Sequence, residues 1–183
     1  MHVYLHGFAS SPQSAKAIQL GKWFADHGKG AAFACPALPI SPAEVMRLFV
    51  DRIHLQPSDT LIGSSLGGFY ATVLAERFGC KAILLNPVVH ASRDLARRLG
   101  TNTNYHDGQS FQFTQEHVDE LRALEIGAIS FPQRYFLVAA KGDEVLSWQE
   151  MVKFYSGAKH KVLDKSDHGL SDFEDYINEV ATF

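Results

Sequence analysis

The sequence predicts an α/β fold: a mainly parallel, six-stranded sheet with helices on both faces and a short helical insertion at about residues 88–131. Three observations carry this expectation. Short apolar runs alternate with longer stretches of helical periodicity along the chain. The links between runs are long enough for the right-handed crossovers of a parallel sheet covered on both faces. The chain has 183 residues, 46% of them hydrophobic and 20% charged, enough for one core and one domain spanning 1–183.

The elements follow in order. Residues 3–5 form the first strand. Ser11-Pro12 offers an N-cap and a proline at the first helical position, and Ile18, Leu20, Trp23 and Phe24 supply an apolar stripe that Gly28 and Gly30 end. Residues 31–35 read as a second strand closed by Pro36. Ser41-Pro42 opens a second helix with Val45, Leu48, Phe49 and Ile53 on one face. Strands follow at 60–62, 82–85, 135–140 and 161–163, and helices at 66–78, 148–155 and 173–180. Residues 88–131 exceed what a crossover needs and break at Gly100 and Gly108, so they read as helices inserted above the site.

Composition narrows the function. The formal net charge is −3, without the clustered basic excess of a nucleic-acid binder. Cys35 and Cys80 read as buried free thiols of a reducing compartment. The N-terminus has no basic region followed by an apolar one, and no apolar run approaches the ~20 residues of a membrane span. The expected location is cytoplasmic.

In a parallel sheet the chemistry belongs at the carboxyl ends of the strands, and four motifs stand there. Gly63-Ser64-Ser65-Leu66-Gly67 fits the nucleophile elbow G-x-S-x-G between a strand and a helix. Side chains at either glycine would collide in so sharp a turn, and a glycine-rich phosphate turn is the competing reading. His6-Gly7-Phe8 follows the first strand. Together these two motifs supply two candidate oxyanion-hole amides, Phe8 and Leu66. Gly142-Asp143-Glu144-Val145 ends a long strand and offers a triad acid, Asp143, with Glu144 as substitute. Asp167-His168-Gly169 offers the base, His168. The order Ser65, Asp143, His168 is that of an α/β-hydrolase. No H-E-x-x-H, C-x-x-C or G-x-G-x-x-G is present, so neither metal nor cofactor is expected.

These motifs, with His6 to Pro12, Gly63 to Phe69, Asn86-Pro87, Gly142 to Leu146 and Asp167 to Gly169, resemble the YqiA-like small esterases of bacteria along the whole chain. The resemblance implies a compact α/β-hydrolase acting on short acyl esters and acyl-CoA thioesters, with nucleophile, acid and base at Ser65, Asp143 and His168. Ala9 departs from the pattern, where a polar residue such as Asn is expected. The expected function is a serine esterase or thioesterase with a small-molecule partner. Rivals are a non-catalytic binding protein on the same scaffold, and a peptidase or carbon–carbon hydrolase using the same triad. Tyr105, Phe111 and Phe113 in the insertion are candidate acyl-pocket residues. Arg93, Arg97 and Arg98 form a basic stretch that could guide an anionic leaving group.

Overall fold

The computed structural model describes residues 1–183. Its centre is a sheet of six parallel strands in the order β2-β1-β3-β4-β7-β8. These are β1 (His2–Leu5), β2 (Phe33–Ala34), β3 (Thr60–Ser64), β4 (Lys81–Leu85), β7 (Tyr135–Ala140) and β8 (Lys159–Leu163). Side chains of successive residues leave a strand on opposite faces, and the sheet separates two cores accordingly. Val3, Leu5, Leu61, Leu84 and Leu137 face one core, while Tyr4, Ile62, Ile83, Phe136 and Val138 face the other.

The larger core is covered by α2 (Pro42–Leu48), α3 (Leu66–Phe78), α4 (Ala91–Ala96), α5 (Gln115–Leu124) and α6 (Trp148–Phe154). The smaller is covered by α1 (Ala15–Asp26) and α7 (Ile177–Ala181). Leu66 to Ala75 of α3 are buried without interruption, so this helix is apolar all round and lies inside the molecule. That placement brings the N-terminus of α3 to the end of β3, against β1 and β4.

Four elements differ from the sequence expectation. α1 begins at Ala15, with Ser14 as its N-cap, rather than beside Pro12; the Ser11 hydroxyl accepts from the Gln13 amide and the Ser11 carbonyl from the Ser14 amide at 3.1 Å, so residues 11–14 make a separate turn ahead of the helix. β2 has two residues, since it pairs only with His2 and Val3 at the edge of the sheet. The last helix is split into a 3-10 turn, Phe173–Asp175, and α7. The insertion is not wholly helical: between α4 and α5 stands an antiparallel hairpin, β5 (Gly100–Thr103) paired with β6 (Ser110–Phe113). Gly100 and Gly108 have φ of 103° and 70°, so they serve the hairpin rather than interrupt a helix. No helix is long and apolar enough to cross a membrane.

Candidate active site

Five strand ends converge on one edge of the sheet. β3 delivers Ser65, whose φ of 55° lies in the left-handed region, a strained conformation for a residue with a side chain. The turn is tight on both flanks. A Cβ on Gly63 would lie 2.3 Å from the Gly67 carbonyl oxygen, and one on Gly67 would lie 2.0 Å from the Leu5 carbonyl oxygen. The glycine spacing is therefore a packing requirement. The Ser65 amide donates to the Leu85 carbonyl at 3.1 Å, and the Ser65 carbonyl accepts from Val88 at 3.0 Å, so the elbow is tied to the end of β4.

The loop after β8 brings His168 to Ser65, with Nε2 3.1 Å from Oγ. On the other side of the ring, Nδ1 stands 2.8 Å from Oδ2 of Asp143. The Asp143 side chain is fully buried. Its second oxygen accepts from the amides of Val145 and Leu146, both at 2.8 Å. Three donors thus fix the carboxylate, and the Nδ1–H···Oδ2 bond leaves Nε2 unprotonated and facing Ser65. Glu144 has a different place: its carboxylate accepts the His168 backbone N–H at 3.0 Å. Asp167 accepts from the Ser171 amide at 2.9 Å and turns away from the ring, and that hydrogen bond holds its carboxyl below the ordinary aspartate range.

The two candidate oxyanion amides flank Ser65. Leu66 is the first residue of α3, where N–H groups have no intrahelical partner. The Phe8 amide makes no hydrogen bond within the protein. Gly7 lets its loop approach, since a Cβ there would lie 3.3 Å from the Ser65 Cβ. The Gly7 carbonyl accepts from Nδ1 of His6 at 3.1 Å. A trans peptide points its C=O and the next N–H in opposite directions, so this bond orients the Phe8 amide. His6 is buried, its Nε2 accepts from the Leu38 amide at 3.1 Å, and burial pushes its pKa below the ordinary histidine value. It therefore stays neutral and anchors the loop on both sides.

Asn86 is a residue whose part is not evident from sequence. It is fully buried at the end of β4 with φ of 44°. Its side-chain amide donates to the carbonyls of Asp167 at 2.9 Å and His168 at 3.2 Å, and its oxygen accepts from Ala140 at 2.8 Å. One side chain joins the ends of β4 and β7 and the histidine loop. The available signal is a polar residue directly after the apolar run 82–85.

Two cavities meet at Phe8 and Leu66. One of about 170 Å³ holds Ser65 and His168, with Val88, Leu95, Arg97, Arg98 and Tyr105 in its wall. The other, about 210 Å³, includes His6, Leu38, Ile40, Tyr70 and Phe111. Tyr105 and Phe111 thus line cavities. Phe113 does not: it is 1% exposed and packs edge-on against Phe8 at 5.1 Å, so it is core of the hairpin rather than a pocket wall. Of the basic stretch, Arg93 is held by Asp94 and Glu150, while Arg97 and Arg98 reach the Ser65 cavity. Cys35 is half-buried and Cys80 buried, both unpaired, and burial pushes each thiol up to about 11. No group of three His, Cys, Asp or Glu side chains converges in a metal-holding arrangement.

Solved structures share this architecture over 98% of the chain. Est1E from Butyrivibrio proteoclasticus, solved with ferulic acid bound, has a TM-score of 0.65 at 13% identity, with 85% of its own chain covered. The esterase domain of a Rhodothermus marinus protein has a TM-score of 0.63 at 16% identity, with 82% covered. Mouse alpha/beta hydrolase domain-containing protein 10 has a TM-score of 0.63 at 15% identity, with 90% covered. At these identities the likeness shows a shared fold, the α/β-hydrolase fold. Across residues 1–183 the chain matches the YqiA-like family described as Uncharacterised protein family (UPF0227), and it belongs to that family.

Proposed function

We propose that the protein is a serine hydrolase cleaving short-to-medium acyl esters or acyl-CoA thioesters. The observation that carries this reading is the unbroken relay from Ser65 Oγ through His168 to Asp143, at 3.1 and 2.8 Å. Fold neighbours named as esterases support it. In the first half-reaction His168 Nε2 takes the Ser65 proton as Oγ attacks the acyl carbonyl carbon. The Phe8 and Leu66 amides receive the oxyanion. His168 then gives the proton to the leaving alcohol or thiol as its bond to the acyl carbon breaks, and the acyl group remains on Ser65. Asp143 holds the ring in the needed tautomer and balances the imidazolium charge. Water repeats the sequence and releases the acid.

Labelling by a fluorophosphonate probe at Ser65, with turnover of p-nitrophenyl butyrate, tests the reading. Ser65→Ala is expected to abolish both without unfolding the protein, and Ser64→Ala to retain most activity. Asp143→Asn is expected to lower kcat by about 10⁴, as loss of the acid does in a serine protease, and Glu144→Gln far less. A folded wild-type protein that neither labels nor turns over ester is a binding module, and the reading falls.

A further inference from the structure

His168 hands its proton to the leaving group, so the leaving group must lie on the histidine side of Ser65. That side is the cavity of about 170 Å³ whose wall includes Ser65, His168, Arg97 and Arg98. We propose that Arg97 and Arg98 form a subsite for an anionic oxygen group, phosphate or carboxylate, on the leaving-group portion of the substrate. The inference rests on the hydrolase reading above and adds to it the charge of the substrate.

Three features single out these two arginines. Arg93, within α4 and one turn before its C-cap Arg97, is occupied: it forks onto both oxygens of Glu150 at 2.7 and 3.0 Å and also holds Asp94. That pairing keeps the Glu150 carboxyl below its ordinary range. Arg97 and Arg98, by contrast, have no carboxylate within ion-pair distance. Second, Arg97 is oriented without being neutralised. Its Nε donates to the Asp94 carbonyl at 2.9 Å and one terminal nitrogen reaches the Val145 carbonyl at 3.4 Å. The first contact also satisfies a carbonyl at the end of α4, and the remaining terminal nitrogen is left for a ligand. Third, the acids nearby are engaged elsewhere. Asp94 also lines this cavity, but its carboxylate is nearly buried and neutralised by Arg93; Glu144 accepts the His168 backbone amide, and Asp143 accepts from Val145, Leu146 and the His168 ring. Two adjacent guanidinium forks against a cavity suit the several oxygens of a phosphate or carboxylate.

The test uses three esters with one acyl group: 1-butyrylglycerol, 1-butyrylglycerol 3-phosphate and butyryloxyacetate. For the wild-type protein at low salt, kcat/KM is expected to be higher for the anionic esters than for the neutral one. Preference for the phosphate ester alone narrows the subsite to phosphate, and preference for both assigns it to anionic oxygens in general. Arg97→Gln and Arg98→Gln should each lower the anionic-to-neutral ratio roughly fivefold, the size of an exposed ion pair. The wild-type ratio should also fall as salt shortens the screening length to ~10 Å at 0.1 M. Lys22→Gln removes a positive charge on α1 and should leave the ratio unchanged. Calorimetric binding of glycerol 3-phosphate to the Ser65→Ala protein reads the subsite without turnover, and Arg97→Gln should weaken it by a similar factor. Equal kcat/KM for the three esters, or a ratio and a binding constant unmoved by both arginine variants, overturns the subsite and leaves the hydrolase reading standing. Failure of all three esters together with absent labelling at Ser65 overturns the hydrolase reading itself.

Discussion

At the scale of single residues, the elbow and the loop facing it depend on the backbone of a few positions. A Cβ at Gly67 would overlap the Leu5 carbonyl oxygen at 2.0 Å, and only backbone movement could relieve that. Gly67→Ala is expected to cost about 3 kcal/mol, the upper part of the usual range for overpacking. Gly127→Ala is the contrast, with nothing within 4 Å of the added carbon, and should stay within about 0.5 kcal/mol. Urea denaturation of the two variants checks the pair. Ala9 is the reverse case. It holds φ of 53°, where a Cβ costs roughly 1 kcal/mol and Asn is better tolerated. The family's expected polar residue thus has a conformational reason, and Ala9→Asn should raise stability by about 0.5–1 kcal/mol. The residues proposed as a triad stood out in the sequence because each lies in the loop that follows a strand: Ser65 directly after β3, Asp143 three residues past the end of β7 and His168 five past the end of β8. The division of labour between Asp143 and Glu144 was legible only by side-chain length, whereas the geometry separates a ring contact from a backbone contact. Asn86 and His6 were illegible as supports, since their partners at Ala140, Asp167, His168 and Leu38 are remote in sequence.

At the scale of elements, the central strands β1, β3, β4 and β7 were readable because parallel strands buried on both faces are strongly apolar, while the edge strands β2 and β8, neither with a buried residue, showed only as short runs. The β5–β6 hairpin was not. Thr101 and Thr103 with Phe111 and Phe113 alternate as strands do, but each run is four residues long, and two glycines suggested interrupted helix instead. The hairpin matters for the site. At its tip the Tyr105 amide donates to the Ala9 carbonyl at 2.9 Å, and the Asn104 side chain donates to the Ser10 carbonyl at 3.2 Å. The loop carrying Phe8 is thus held from above by the hairpin and from below by His6. Asn104→Ala removes the bond to the Ser10 carbonyl and the acceptor of the His106 amide at the hairpin tip. The expected result is a severalfold fall in kcat for p-nitrophenyl butyrate with a smaller change in KM, because the misplaced Phe8 amide matters most in the transition state. A change confined to KM would limit the hairpin to binding.

At the scale of the whole molecule, two histidines, His2 half-buried and His6 buried, set how it responds to acid. Burial lowers the pKa of both His2 and His6 below the ordinary histidine value. The unfolded chain takes up a proton at each near pH ~6.5, which the folded chain resists. Stability is therefore untouched above that pH and falls as pH drops below it. Asp59, Glu76 and Glu179 have carboxyls held below their ordinary range by hydrogen bonds, outweighing the effect of burial at Asp59 and Glu76. Their contribution is lost only in more acidic solution, below about pH 4.5. Urea midpoints should already decline between pH 7.5 and 5.5, and replacing His2 and His6 with Gln should flatten that interval. Asn86 has a wider consequence. By binding Ala140, Asp167 and His168 at once, it makes the ends of separate strands mechanically one. No part of this edge can fray while the rest stays in register. Amide exchange at Ala140 should accordingly proceed by global unfolding rather than local opening, and heat should extinguish activity and melt the sheet in a single cooperative step.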